Sequence, residues 1–268
     1  MATTRIAFED LPATVHAAIE EHTGPLLRTE PTSAGLNSEI STRIHTATGI
    51  YYIKGLRSDH RRVWTQRREA EIAPYLHGIA PALLWRLETD GWDLLAFQAL
   101  DGHHADYTPG SPDLSKVAAT LRRLGRTPCP DIELLRAEQR LHAYVAQDSH
   151  AELFAGTALL HTDLNNENVI VGEQALLVDW GWATCGAPWL DAGYWVIWLI
   201  AAGGHTPQAA EEWAGCVPAW RTAPDEGINA FAQANANVWE EIAGPAPDSW
   251  TARLLQAARQ WSAYRSAV

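Results

Sequence analysis

Two textures of hydrophobic spacing divide the chain near residue 100. In the first part, 40–45 and 50–54 are β-branched and aromatic runs separated by a turn at 46–49, which predicts paired strands. Runs 83–87 and 93–97 flank Asp90-Gly91, a strong hairpin pair. Between these hairpins, 61–77 places Val63, Ile72 and Leu76 for burial with charges on the other side. One helix ending at Gly78 is expected there, with Pro74 awkward inside it. Beyond residue 100 the spacing turns helical, predicting helices at 113–124, 131–146, 189–202, 208–214, 229–242 and 250–267. A strand–turn–strand piece, 169–171 and 176–178 around Gly172-Glu173-Gln174, interrupts them, and 101–110 has the texture of a loop. The fold class is α+β: a two-lobed arrangement with a small β-rich lobe holding one main helix, then a larger, mainly helical lobe. The expected boundaries are 1–100 and 101–268.

Composition sharpens this picture. The 268 residues are 47% hydrophobic and 19% charged, as in a globular protein. The formal charge is −12, which argues against general nucleic-acid binding, because a phosphate backbone demands a positive face. Residues 1–100 hold 10 basic and 12 acidic side chains; the remainder hold 10 and 20, so the excess sits in the second part. Ten of the 13 tryptophans also lie beyond residue 179. Cys129, Cys185 and Cys216 are too few and too scattered for a disulfide framework or zinc cluster, and are expected as buried thiols in a reducing cytoplasm. The opening residues show no basic segment followed by an apolar run, so no secretory signal is expected. The longest uncharged stretch, 192–210, is broken by Gly203, Gly204 and Pro207. It predicts a buried helix, not a membrane span.

The sharpest chemistry lies in Leu159-Leu160-His161-Thr162-Asp163-Leu164-Asn165-Asn166-Glu167-Asn168-Val169. Apolar runs bracket a polar loop with an Asp and, five residues on, an Asn. A second apolar run then ends at Asp179-Trp180-Gly181. One Asp can orient a hydroxyl, while an Asn and a second Asp offer oxygens to Mg²⁺. Asp and Asn also shape ordinary turns, and either piece alone would support that reading. Both pieces in this order favour the chemical one.

His161-x-Asp163 with Asn168, followed by Asp179-Trp180-Gly181, resembles the catalytic loop and metal motif of the aminoglycoside phosphotransferase family, whose fold is protein-kinase-like. The resemblance covers about residues 30–200 and outside these motifs rests on order. It implies an ATP-dependent O-phosphotransferase, with GTP an alternative donor and Mg²⁺ required. Asp163 would orient the acceptor hydroxyl, and Asn168 with Asp179 would bind the metal. Lys54, one of only two lysines, falls where the family holds the nucleotide phosphates. Its partner would be Glu69, counted back from the helix end, with Glu71 the fallback. Gly35, Asn37 and Ser38 fall in the phosphate-covering loop, and the backbone of Phe97 and Ala99 falls at the adenine-binding hinge. His161 and Asp191 would brace the catalytic loop. A capping role for Asp191 is compatible with that one.

The resemblance also implies a small-molecule acceptor bound to the larger lobe, with no membrane, nucleic acid or obligatory protein partner. Acidic pairs Glu211-Glu212, Asp225-Glu226 and Glu240-Glu241 suit a cationic antibiotic, and the late tryptophans suit a flat, nucleoside-like one. A metabolic kinase acting on choline, an amino alcohol or a sugar would use the same residues. A nucleotide-binding pseudokinase is the non-enzymatic alternative, against which the intact Lys54, Asp163, Asn168 and Asp179 argue. The short gap between Asp179 and Asp191 leaves little platform for a peptide, which counts against a protein kinase.

Overall fold

The computed structural model describes residues 5–32 and 38–267. Gly35 and Asn37 lie outside the described residues. The chain divides into two compact units. One comprises 1–102 and 177–181, the other 103–176 and 182–268.

In the first unit, α1 (Ala13–Thr23) precedes β1 (Leu26–Pro31), β2 (Ile40–Thr46), β3 (Ile50–Arg57), α2 (Val63–Ile72), β4 (Leu83–Thr89) and β5 (Trp92–Gln98). The strands form an antiparallel sheet in the order β1-β2-β3-β5-β4. Asp90 and Gly91 both take positive φ (44° and 76°), as the turn between β4 and β5 requires. From Trp92 to Phe97, β5 is buried at every position, so the alternation expected of a half-exposed strand disappears. The one charge inside it, Asp93, is fully buried and takes two bonds from Arg86 on β4, at 3.0 and 2.8 Å. Phe8, Leu11, Val15 and Ile19 pack with Ile40, Ile44, Ile53 and Leu94 as the core. The helix expected over 61–77 is shorter: α2 stops at Ile72 and a 3-10 turn, Ala73–Tyr75, follows. Pro74 causes this, because it has no N–H to continue the helical ladder.

The second unit begins with β6 (His103–His104) and α3 (Asp113–Leu124), whose Leu114, Val117, Ala118, Leu121 and Leu124 form one buried stripe. There follow β7 (Leu135–Arg136), α4 (Ala137–Leu141), α5 (Asp148–Glu152), β8 (Ala158–Leu160), β9 (Val169–Val171), β10 (Ala175–Leu177) and β11 (Thr184–Gly186). After them come α6 (Leu190–Ala201), α7 (Pro207–Ala214), α8 (Pro218–Arg221), α9 (Asp225–Ala243) and α10 (Ser249–Ala267). The single helix expected over 131–146 is broken up: only Ala137–Leu141 is α-helical, with a 3-10 turn at His142–Tyr144 after it. Leu135 and Arg136 instead pair in parallel with Thr184 and Cys185, so a strand outcompetes local helix propensity. As expected from its unbroken hydropathy, α6 is buried at all but one position. Among the described residues no helix is long and apolar enough to cross a membrane. Edge-to-face contacts among Phe154, Trp189, Phe231 and Trp261 build the core around it.

The cysteine expectation is corrected. Cys129 and Cys185 form a disulfide with Cα atoms 5.7 Å apart, and Cys216 alone is free. Antiparallel pairing of β11 with β8, together with the Cys129 N–H bond to the Thr157 carbonyl (2.7 Å), joins residues 56 apart in sequence. Spacing alone carries no trace of that pairing, and the cysteines no longer argue for a reducing compartment.

Candidate active site

In the first unit, β3 delivers Lys54 and α2 delivers Glu69, while the chain returning after β10 delivers Asp179. The Leu177 N–H bonds the Ile79 carbonyl (2.8 Å) and fixes that return. Lys54 Nζ lies 2.5 Å from Glu69 Oε2 and 3.0 Å from Asp179 Oδ1. Glu69 is buried, whereas the fallback Glu71, two residues along the helix, is exposed. Burial works against the Lys54 ammonium, but Asp179 and Glu69 more than compensate, so its pKa is raised and it stays charged. Burial, helped by Asp179, pushes the Glu69 carboxyl up against the pull of Lys54. Asp179 adopts φ 65°, a left-handed conformation that Asp tolerates.

Other residues proposed for the nucleotide also lie in this unit. Ser38 is buried two residues before β2 begins. Phe97 closes the buried run of β5, and Ala99 follows the strand end, half-exposed.

In the second unit, β8 leads into the loop bearing His161, Asp163 and Asn168. Asn168 Nδ2 donates to Asp163 Oδ2 (2.9 Å), holding the carboxylate in one orientation. The Asp163 N–H donates to His161 Nδ1 (3.2 Å), a bond that requires this nitrogen to be unprotonated. His161 is completely buried. Asp191, at the start of α6, accepts from the His161 N–H (2.9 Å) and the Thr162 N–H (2.8 Å). Burial raises the Asp191 pKa, opposed by these two amides and by the charge of Arg140. Its carboxylate braces the loop and not its own helix, whose start it does not cap.

Sequence reasoning passed over several residues that fix this loop. Tyr107 donates its hydroxyl to the Leu164 carbonyl (3.0 Å). Thr162 sits at φ 69°, a costly conformation for a β-branched residue, of order 1–3 kcal/mol. It is held there by the Asp191 carboxylate and by Arg140, whose Nη1 donates to Thr162 Oγ1 (2.8 Å) and Thr184 Oγ1 (2.7 Å). No local spacing marks Arg140 or Tyr107. Both reach the loop through tertiary contacts.

Beside Asp163 opens a cavity of about 360 Å³, bordered by Arg140, Tyr144, Trp182, Tyr194, Trp198 and Trp239 among others. Each unit by itself offers an oxygen donor of the kind a hard divalent ion takes. Asn168 spends its amide nitrogen on Asp163, which leaves its carbonyl oxygen as the donor end, and Asp179 offers a carboxylate. Among the described residues no cluster of three or more His, Cys, Asp or Glu could cage a metal alone.

The family model described as "Phosphotransferase enzyme family" matches residues 76–226. The chain belongs to this family and is a phosphotransferase enzyme. No curated protein matches it in sequence. Its structure is similar to the choline kinase LicA from Streptococcus pneumoniae, with 15% identity, 93% of this chain and 99% of that one covered, and a TM-score of 0.62. It is also similar to a thermostable mutant of the aminoglycoside phosphotransferase APH(4)-Ia, crystallised as a ternary complex with ADP and hygromycin B. There identity is 13%, coverage 92% and 98%, and the TM-score 0.61. At such identities the likeness establishes the protein-kinase-like fold.

Proposed function

We propose that the protein transfers the γ-phosphoryl group of ATP, or of GTP, to a hydroxyl of a small molecule. The observation that carries this reading is Asp163, held by Asn168 on a braced loop and bordering a cavity of small-molecule size. The first unit takes the nucleotide, with Lys54, kept charged by Asp179 and Glu69, against its nonreacting phosphates. Ser38, with Gly35 and Asn37, would cover those phosphates, and the Phe97 and Ala99 backbone would meet the base. In the second unit Asp163 accepts a hydrogen bond from the acceptor hydroxyl, aligns its oxygen, and takes the proton as the new P–O bond forms. The old bond to the leaving diphosphate breaks in the same step. Asn168 and Asp179 would hold Mg²⁺, which when bound supplies positive charge against the phosphate oxygens. His161 and Asp191 position the loop and do not touch the reacting atoms.

For the biological role we favour an antibiotic hydroxyl, by likeness to a phosphotransferase crystallised with hygromycin B. Likeness to a choline kinase supports the second reading, a metabolic alcohol kinase. Expression in a drug-sensitive bacterium separates the two: raised tolerance supports the first, and unchanged tolerance with turnover of a metabolite supports the second. The chemical assignment is tested by Asp163→Asn. Its turnover with γ-labelled ATP should fall by about 10²–10⁴-fold while nucleotide binding persists. Full activity in that variant would remove Asp163 from the mechanism.

A further inference from the structure

The walls of the cavity beside Asp163 carry information about the acceptor. Five aromatic rings border it, from Tyr144, Trp182, Tyr194, Trp198 and Trp239. Rings alone would suit either a flat apolar molecule or an organic cation, which binds ring faces through their quadrupole. The charges decide between these. Among the described residues lining the cavity, only Asp163 and Arg140 are charged. Arg140 cannot swing away readily: its Nη1 is tied to Thr162 and Thr184, and its guanidinium lies 5.5 Å over the Trp182 ring. A cationic acceptor would therefore meet a fixed like charge beside the group that must align it. A carboxylate, carbonyl or phenolate would meet a planar donor suited to it.

The acidic pairs that made a polycation attractive are engaged elsewhere. Glu211 binds Arg265 (2.6 Å) and the Trp261 indole N–H (2.6 Å), and Asp225 lies 3.5 Å from the same Arg265. Glu240 pairs with Arg259 (2.8 Å) and Glu226 with His150 (3.6 Å). Gln208 donates to Glu212 (3.3 Å). Burial and, after it, the Glu241 carboxylate raise the Tyr144 pKa, yet Glu241 does not line the cavity. None of these six carboxylates lines the cavity.

We propose that the acceptor is a flat, largely apolar alcohol bearing a neutral or anionic polar group, stacked on the tryptophans and selected by Arg140, and not a polycation. This rests on the reading of Asp163 as the residue that aligns the acceptor. The test uses three matched hydroxymethyl-naphthalenes, carrying a carboxylate, a carboxamide or an aminomethyl group, titrated calorimetrically into the full chain. The carboxylate probe should bind about tenfold tighter than the aminomethyl probe. Arg140→Gln should close that gap and Arg140→Lys should keep part of it, an exchange of preference that a merely structural arginine would not produce. Should Arg140→Gln fail to fold, the comparison on the unaltered protein still decides. Trp239→Ala should then weaken all three probes alike. Equal or tighter binding of the aminomethyl probe, or no binding of any probe, overturns the proposal. Phosphoryl transfer is assayed separately on the same probes. Binding of the carboxylate probe that Arg140→Gln abolishes, without transfer to any alcohol, would sink the small-molecule transfer reading and leave the cavity's selectivity standing. Efficient transfer to the aminomethyl probe does the reverse.

Discussion

Lys54 is the residue on which the first unit's charge balance turns. It neutralises one deeply buried carboxylate, Glu69, and one partly buried carboxylate, Asp179. Replacing it by Met keeps the aliphatic bulk but strands two negative charges together. Breaking such a buried arrangement costs about 3–5 kcal/mol. The loss should depend on pH, with a sign that follows from Glu69. Burial and Asp179 already raise its pKa, and deleting Lys54 removes the main opposing influence. A carboxyl whose folded pKa exceeds its unfolded value binds its proton more tightly when folded. Its contribution is therefore intact below the ordinary carboxyl range and is lost as pH rises through the elevated folded pKa. Calorimetric melting of Lys54→Met at pH 5 and pH 8 checks this. The variant's deficit relative to the unaltered protein should be larger at pH 8, and a deficit of equal size at both would refute the linkage. Lys54, Asp163, Asn168 and Asp179 stood out in the sequence because each adjoins a legible apolar run or the polar loop between two of them, whereas Glu69 was reached only by counting back from the helix end on the family resemblance. Arg140 and the tryptophan walls of the cavity did not, since nothing in local spacing says which ring faces a cavity and which fills a core.

At the level of elements, strands and amphipathic helices were legible wherever local pattern and tertiary demand agree. The hairpin at Asp90-Gly91 and the helix Asp113–Leu124 are examples. Segment 131–146 failed because its composition is helical while its partner, β11, recruits two residues into a strand. The segments α1 and β1 were passed over because α1 is weakly amphipathic and only Val15, Ile19 and Thr23 are buried. Close packing of elements also makes a prediction at Gly181, directly after Asp179-Trp180. A Cβ there would lie 2.7 Å from the Thr65 Cβ on α2, an atom that no rotamer change can withdraw. Gly181→Ala must therefore shift either α2, which bears Glu69, or the segment bearing Asp179. Overpacking of this kind costs about 1–3 kcal/mol. The expected result is a lowered melting temperature together with weaker nucleotide binding in a calorimetric titration. Unchanged affinity would show that the Lys54, Glu69 and Asp179 arrangement tolerates the shift.

For the molecule as a whole, the two units differ in what stabilises them. The first relies on one sheet and its apolar core, whereas the second adds a covalent tie between Cys129 and Cys185. That tie closes a loop of 56 residues, and a crosslink of such length removes enough freedom from the unfolded chain to be worth about 4 kcal/mol. It also fastens β11 next to Thr184, which receives the Arg140 guanidinium, so the same bond supports one wall of the cavity beside Asp163, where we propose the acceptor binds. Nine of the 13 tryptophans lie in the second unit, which makes intrinsic fluorescence a reporter weighted toward it. Reduction with dithiothreitol, or the double substitution Cys129→Ala with Cys185→Ala, should move the fluorescence-monitored urea transition to lower denaturant. Both treatments should agree in size, and acceptor binding should weaken with them while nucleotide binding holds. A urea midpoint that stays in place after complete reduction would mean that strand pairing of β11 with β7 and β8 already holds that wall, and that the disulfide adds nothing to it.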